Sequence, residues 1–208
     1  MERGHPCPHE RAARKNVMTV TTDYEPIGWH SRGYLPHFDA GEVFQSITFR
    51  LYDSMPQRLW KSGNMSWQAN RNCGKTSCDL ELKHTWIAAL VQSALTYFDS
   101  QRYRLSAWVV MPNHVHLLAA PCIDHSLSNI MHSLKSYTAQ EANRLLNRRG
   151  NFWFEDYFDR YIRNAKHFEN AVNYIESNAV RAGLCKTACD WRFGSAWFRG
   201  KQMRSAAV

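Results

Sequence analysis

Long apolar runs are what this chain most plainly lacks. No segment approaches the roughly 20 consecutive apolar residues that a membrane-spanning helix needs, and the opening residues MERGHPCPHERAARKNV hold no apolar core of a secretory signal. A cytoplasmic protein without a membrane partner is expected, with Met18 as an alternative start. The six cysteines show no disulfide-framework regularity; Cys73/Cys78 and Cys185/Cys189 lack the CxxC knuckle spacing, and no histidine follows at a finger-like interval. The thiols are therefore read as small buried or incidental residues. Acidic residues are scarce, 18 against 26 Lys and Arg, which leaves a net charge of +8. That balance favours a polyanionic partner, because each phosphate neutralised releases condensed counterions. No internal repeat is present.

What is there suffices for one domain with extensions: 208 residues, 44% hydrophobic and 13% aromatic. Residues 1–40 are rich in Pro, Gly, His and Arg without sustained periodicity and read as an N-terminal arm. EVFQSITFRLYD (42–53) alternates, with Val43, Gln45, Ile47, Phe49 and Leu51 on one face of a strand. Residues 54–80 read as a loop, and the apolar set Ile87, Leu90, Val91, Ala94, Leu95 and Phe98 predicts a helix over 81–98. LSAWVVM and HVHLLAA are two strands joined at Pro112-Asn113. A second helix spans 126–147 with Ser126 as N-cap, the aromatic run 151–164 is extended, and a third helix runs 165–182 and stops at Gly183. This order is that of an α+β fold, a ferredoxin-like antiparallel sheet with helices on one face. The arm is bounded at 1–40, the domain at 41–184 and a C-terminal tail at 185–208.

In the second of the paired strands, His114 and His116 project from the same face, since strand side chains alternate. A lone histidine there is ordinarily a hydrogen-bonded polar residue, and for the pair metal binding and packing both stay open until a third ligand is found. The third helix offers one. Phe168, Val172, Ile175, Ala179 and Ala182 form its apolar stripe, while Tyr174 and Asn178, four apart, share a neighbouring face.

MPNHVHLL, LKSYT, FWFEDYFDRYIR and YIESNAVRAGL, in this order, resemble the REP-associated tyrosine transposases, single-tyrosine members of the HUH endonuclease superfamily. GWHSRGYLPHFDAGEVFQSITFRL is similar as well, so the resemblance covers roughly residues 27–197. It implies a metal-dependent single-strand DNA endonuclease and strand transferase that cleaves beside hairpin-forming palindromic repeats. Tyr174 is then the nucleophile and His114, His116 and Asn178 the ligands of a divalent metal, Mg2+ or Mn2+; relatives commonly have Asn-Pro where this chain has Asn178-Ala179. The resemblance also implies a monomer rather than a homodimer. The chemistry is self-consistent, because neutral ligands leave a cation its full charge for the phosphodiester, and a tyrosine ester conserves the bond energy for rejoining. Tyr137 lies nearer to the histidines in sequence but has no amide four residues on, so it is assigned to packing or DNA contact with Tyr157 and Tyr161. Lys135, Arg144, Arg148, Arg149, Trp153, Arg160, Arg163 and Arg181 are the expected contacts to single-stranded or hairpin DNA, cations holding phosphates and rings stacking bases. Two other classes remain open: a hairpin binder that no longer cleaves, and a histidine-metal hydrolase that uses water.

Overall fold

The computed structural model describes residues 28–31, 35–39, 41–54 and 84–205. The expected loop at 54–80 falls almost wholly outside these residues, as do Cys7, Cys73 and Cys78. Six strands are present in the described residues: β1 (Gly28–Ser31), β2 (Pro36–Asp39), β3 (Gln45–Arg50), β4 (Tyr103–Val110), β5 (His114–Pro121) and β6 (Phe158–Tyr161). The helices are α1 (Thr85–Tyr97), α2 (Leu127–Leu145), α3 (Ala165–Glu176), α4 (Asn178–Arg181) and α5 (Ser195–Ser205). The main sheet runs β4-β5-β3-β6, antiparallel throughout. This is the strand order of the expected ferredoxin-like α+β fold.

One face of that sheet carries Ile47, Phe49 and Leu51 of the β3 stretch, which continue into Trp108, Val110, Val115, Leu117 and Ala119. Helices α1 and α2 cover it through Ile87, Val91, Leu95, Ile130, Met131 and Leu134. Ser126 caps α2 as expected, its hydroxyl accepting from the Asn129 amide at 3.1 Å. The expectation that helices occupy one face fails for the third. Helix α3 lies on the opposite face, where Ala171, Ile175 and Ala179 pack on Ala107, Val109, Met111 and Leu118. The physical reason is that β4 and β5 are apolar on both faces at these positions, so a second layer is needed to remove them from water.

The third helix is also interrupted. Ser177 separates α3 from α4, and its hydroxyl reaches the Tyr174 carbonyl at 3.4 Å, the acceptor that the Asn178 amide would otherwise use. The Gly183 stop is as expected, with a φ of 71° that favours glycine. Both presumed appendages contain structure. Part of the arm forms the β1–β2 hairpin, and part of the tail forms α5, preceded by Phe193 and Gly194 at the β4 edge, where the Val110 amide donates to the Phe193 carbonyl at 2.9 Å. The aromatic run forms a strand at Phe158–Tyr161 and pairs before it through an isolated antiparallel bridge of Trp153 to Leu51.

The hairpin is pinned by a charged cluster. His37, 1% exposed, places Nδ1 2.5 Å from Asp159 Oδ1 and Nε2 2.8 Å from Asp156 Oδ1. The Phe38 amide adds a bond to Asp159 Oδ2 at 2.9 Å, and the Tyr157 ring lies 4.5 Å from the imidazole. Burial acts to lower the His37 pKa, but the two carboxylates outweigh it through hydrogen bonds and charge and raise it to about 9.

Candidate active site

The site grows from strand register. His116 faces Thr48 across the β5–β3 pair, His114 faces Arg50, and Val109 faces His116 from β4. Directly opposite residues on antiparallel strands share a face, so Thr48, Arg50, His114 and His116 line the same surface, the one covered by α3. The two imidazole rings are 4.6 Å apart. Each has its Nδ1 occupied: His114 by the Asn113 side-chain oxygen at 2.6 Å, His116 by the Thr48 hydroxyl at 2.7 Å. These bonds orient the rings and leave Nε2 of each as the nitrogen for a ligand.

Burial holds both histidines neutral at physiological pH. It lowers the His114 pKa well below the ordinary value, helped by the charges of His116 and Arg50, and pushes His116 down to about 3, helped by Arg50. Among the described residues no group of three His, Cys, Asp or Glu side chains is arranged to hold a metal. Asn178, half-buried, lies four residues beyond Tyr174 as the first residue of α4. Two neutral, oriented imidazoles fit a divalent cation; the buried charge of Arg50 disfavours one and suits an anion.

The covering helix brings Tyr174 to the pair. With Ala171 and Ile175 buried against the sheet, Tyr174 emerges at the rim, 44% exposed, its ring centroid 5.5 Å from that of His116. The Arg181 guanidinium lies 5.1 Å from the tyrosine ring. Tyr137 sits on α2, across the sheet from the histidines and 53% exposed.

Residues 81–178 match the family described as "Transposase IS200 like". That span contains His114, His116, Tyr174 and Asn178. Over that span, just under half of its length, this chain is similar to the IS200-like transposases. A REP-associated tyrosine transposase of Escherichia coli (strain K12) is 29% identical over 94 residues, 45% of this chain and 54% of that protein. The chain thus spans about half the length of this curated transposase. Among solved structures, a REP-associated tyrosine transposase bound to a REP hairpin has a TM-score of 0.51 at 20% identity, covering 80% of this chain and 81% of that one. A putative transposase from Deinococcus radiodurans has a TM-score of 0.40 at 16% identity, covering 72% and 95%.

The cations expected to meet DNA divide between the two faces of the sheet. Arg160 opposes Ser46 on the histidine-bearing face, and Arg181 flanks Tyr174. Arg163 stands between β6 and α3, its guanidinium 5.5 Å from the Tyr161 ring. Lys135, Arg144, Arg148 and Arg149 belong to α2 or its C-terminal side, the opposite layer. Lys135 donates to the Glu155 carbonyl at 2.6 Å, and Arg144 pairs with Glu141. Trp153 must be corrected: it is 5% exposed, its indole donates to Thr138 Oγ1 at 2.9 Å, and its ring packs on Phe49, so no face is open to a base. Sequence reasoning missed Thr48, Arg50 and Asn113 as partners of the histidines. The alternation in SITFR was visible, but only the register sets Thr48 and Arg50 opposite His116 and His114.

Proposed function

We propose that the chain is a tyrosine transposase that cuts single-stranded DNA beside hairpin-forming palindromic repeats and rejoins it through a 5′-phosphotyrosine linkage. The observation that carries this reading is the Tyr174 ring 5.5 Å from His116, on a face that holds a second neutral imidazole. The Tyr174 hydroxyl, losing its proton to water, attacks the phosphorus. The bond from phosphorus to the 3′-oxygen breaks, and that oxygen takes up a proton as a free 3′-hydroxyl. Attack by a second strand's hydroxyl reverses the step and needs no ATP. His114, His116 and Asn178 would hold a divalent ion, Mg2+ or Mn2+, which when bound would supply charge to polarise the scissile phosphate. Thr48 and Asn113 keep the two imidazoles oriented, and Arg50 adds a fixed positive charge beside them on the same face. Arg160 and Arg181 are placed to hold flanking phosphates, with Arg163 and the α2 cations extending the contact as the hairpin requires. The hairpin-bound relative, similar over 80% of this chain, supports a hairpin substrate. A monomer is the proposed state, the site being assembled from one chain.

The test is incubation with single-stranded hairpins from the gene's own flanks, with and without divalent metal. Tyr174→Phe removes one oxygen and is expected to give no cleavage and no covalent adduct, while Tyr137→Phe still forms one. A water-using hydrolase keeps cutting after Tyr174→Phe, and a binder without activity forms no adduct in any variant; either result overturns the proposal.

A further inference from the structure

We propose that Glu176, Ser195 and Arg199 form a latch that positions Tyr174 over the histidine pair, so that α5 is a working part of the site rather than a tail. The inference rests on Tyr174 being the nucleophile.

Glu176 follows Tyr174 by two residues, which on a helix is roughly 200° of rotation, so its carboxylate leaves on the side away from the tyrosine ring. There its Oε1 accepts from Ser195 Oγ at 2.6 Å and pairs with the Arg199 guanidinium. Both partners are themselves anchored to β4. Ser195 is fully buried, and its oxygen accepts from the Trp108 amide at 3.2 Å, which commits the hydroxyl hydrogen to Glu176. Arg199 also donates to the Ser106 carbonyl at 3.2 Å. These contacts straddle the β4 bulge between Leu105 and Ala107. The segment leading into α5 is held to the same strand: Trp191 donates its indole hydrogen to the Val110 carbonyl at 3.0 Å, and Gly194 bridges Val109.

The need for such a latch follows from the packing beneath α3. Its fully buried contacts come from Ala171 and Ile175, continued by Ala179, with Phe168 and Val172 packed half-buried beside them, all of them apolar. Apolar contact of this kind opposes separation but is non-directional, so it resists sliding and rolling weakly. A charged carboxylate bonded from two directions to a strand does resist them. Since β4 neighbours β5, which carries both histidines, the latch ties the tyrosine-bearing helix to the sheet that carries them. Glu176 is not placed to take a proton from Tyr174, because its carboxylate is on the far side of the helix and already bonded. It is a positioning residue. As a partly exposed ion pair, Glu176–Arg199 adds little to stability, so its loss is read in rate.

The experiment compares Arg199→Ala, Glu176→Gln and, as a control on the same helix, Lys201→Ala, whose ammonium lies 5.4 Å from the Trp197 ring. Each is assayed by single-turnover cleavage of a hairpin substrate across protein concentrations, and by the 19F resonance of 3-fluorotyrosine incorporated at position 174. Arg199→Ala is expected to slow cleavage by between about tenfold and a hundredfold, the scale of an ångström-sized misplacement. The half-saturating concentration stays within about twofold, and the 19F line shifts or broadens. Glu176→Gln keeps the Ser195 bond and loses the charge, giving a smaller loss in the same direction. Lys201→Ala matches the unmodified chain. An unchanged rate and 19F line in Arg199→Ala overturns the inference; so does a loss that appears only in half-saturation. Should Arg199→Ala not fold, Glu176→Gln decides by the same two readouts. If the unmodified chain does not cleave through Tyr174, the transposase reading fails while the 19F comparison still decides whether the latch sets the ring.

Discussion

His37 gives the sharpest stability prediction. In the unfolded chain its pKa is near 6.5; folded between Asp156 and Asp159 it is raised to about 9. Because the folded state holds the proton more tightly, the stabilisation is fully present below pH 6.5 and is lost as pH rises through about 9. At 1.36 kcal/mol per tenfold change in proton activity, that interval corresponds to about 3 kcal/mol as an upper figure. Lys135 complicates a simple melt. Burial lowers it to about 8 against the pull of Asp156 and Glu155, so it titrates in the same window and contributes with the opposite sign, stability rising with pH. The difference between the unmodified chain and His37→Asn isolates the histidine, since Lys135 is present in both. Urea unfolding at fixed ionic strength and under reducing conditions, at pH 6, 7.5, 9 and 10, measures it. The cost of His37→Asn should be greatest at pH 6 and shrink by about 3 kcal/mol at pH 10, more than half of the decline falling above pH 7.5. A cost that is flat across this range, or that grows with pH, refutes the charged cluster.

Three further outcomes test the site and its support. His116→Ala should abolish cleavage while hairpin affinity, measured by gel shift, stays near that of the unmodified chain; Asn178→Ala should cost less, with a raised metal requirement in a Mn2+ titration, since water can replace an amide oxygen. Thr48→Val removes the hydroxyl 2.7 Å from His116 Nδ1 and should weaken metal affinity by about 10- to 100-fold in calorimetry, with the melting temperature little changed. Ile175→Ala, at a fully buried position under the tyrosine-bearing helix, should cost about 2–5 kcal/mol in urea unfolding.

Much of the architecture was legible because periodicity records which face is buried. The alternation of Ile47, Phe49 and Leu51, the helical spacing of Ile87 to Leu95 and the Ser126 cap all describe local geometry that the chain must satisfy residue by residue. The same holds for the shared face of His114 and His116, which follows from the two-residue repeat of a strand, and for the adjacency of Tyr174 and Asn178 along a helix. Local patterns do not say which layer a helix joins. That α3 crosses to the other face of the sheet and brings Tyr174 over His116 depends on β4 and β5 being apolar on both sides and on α1 and α2 already filling one. Strand register is equally silent in a single sequence: Thr48 and Arg50 become neighbours of the histidines only because β3 pairs with β5 at one offset among several that alternation permits. Trp153 shows the limit from the other side. Its composition suits a stacking platform, yet whether an aromatic ring meets a base or the core is decided by long-range packing against Phe49 and Thr138. So the sequence by itself determined the elements, the histidine pair and the tyrosine; the tertiary structure alone decided that they meet, since contacts between residues 58 positions apart arise from packing and register, which no local period encodes.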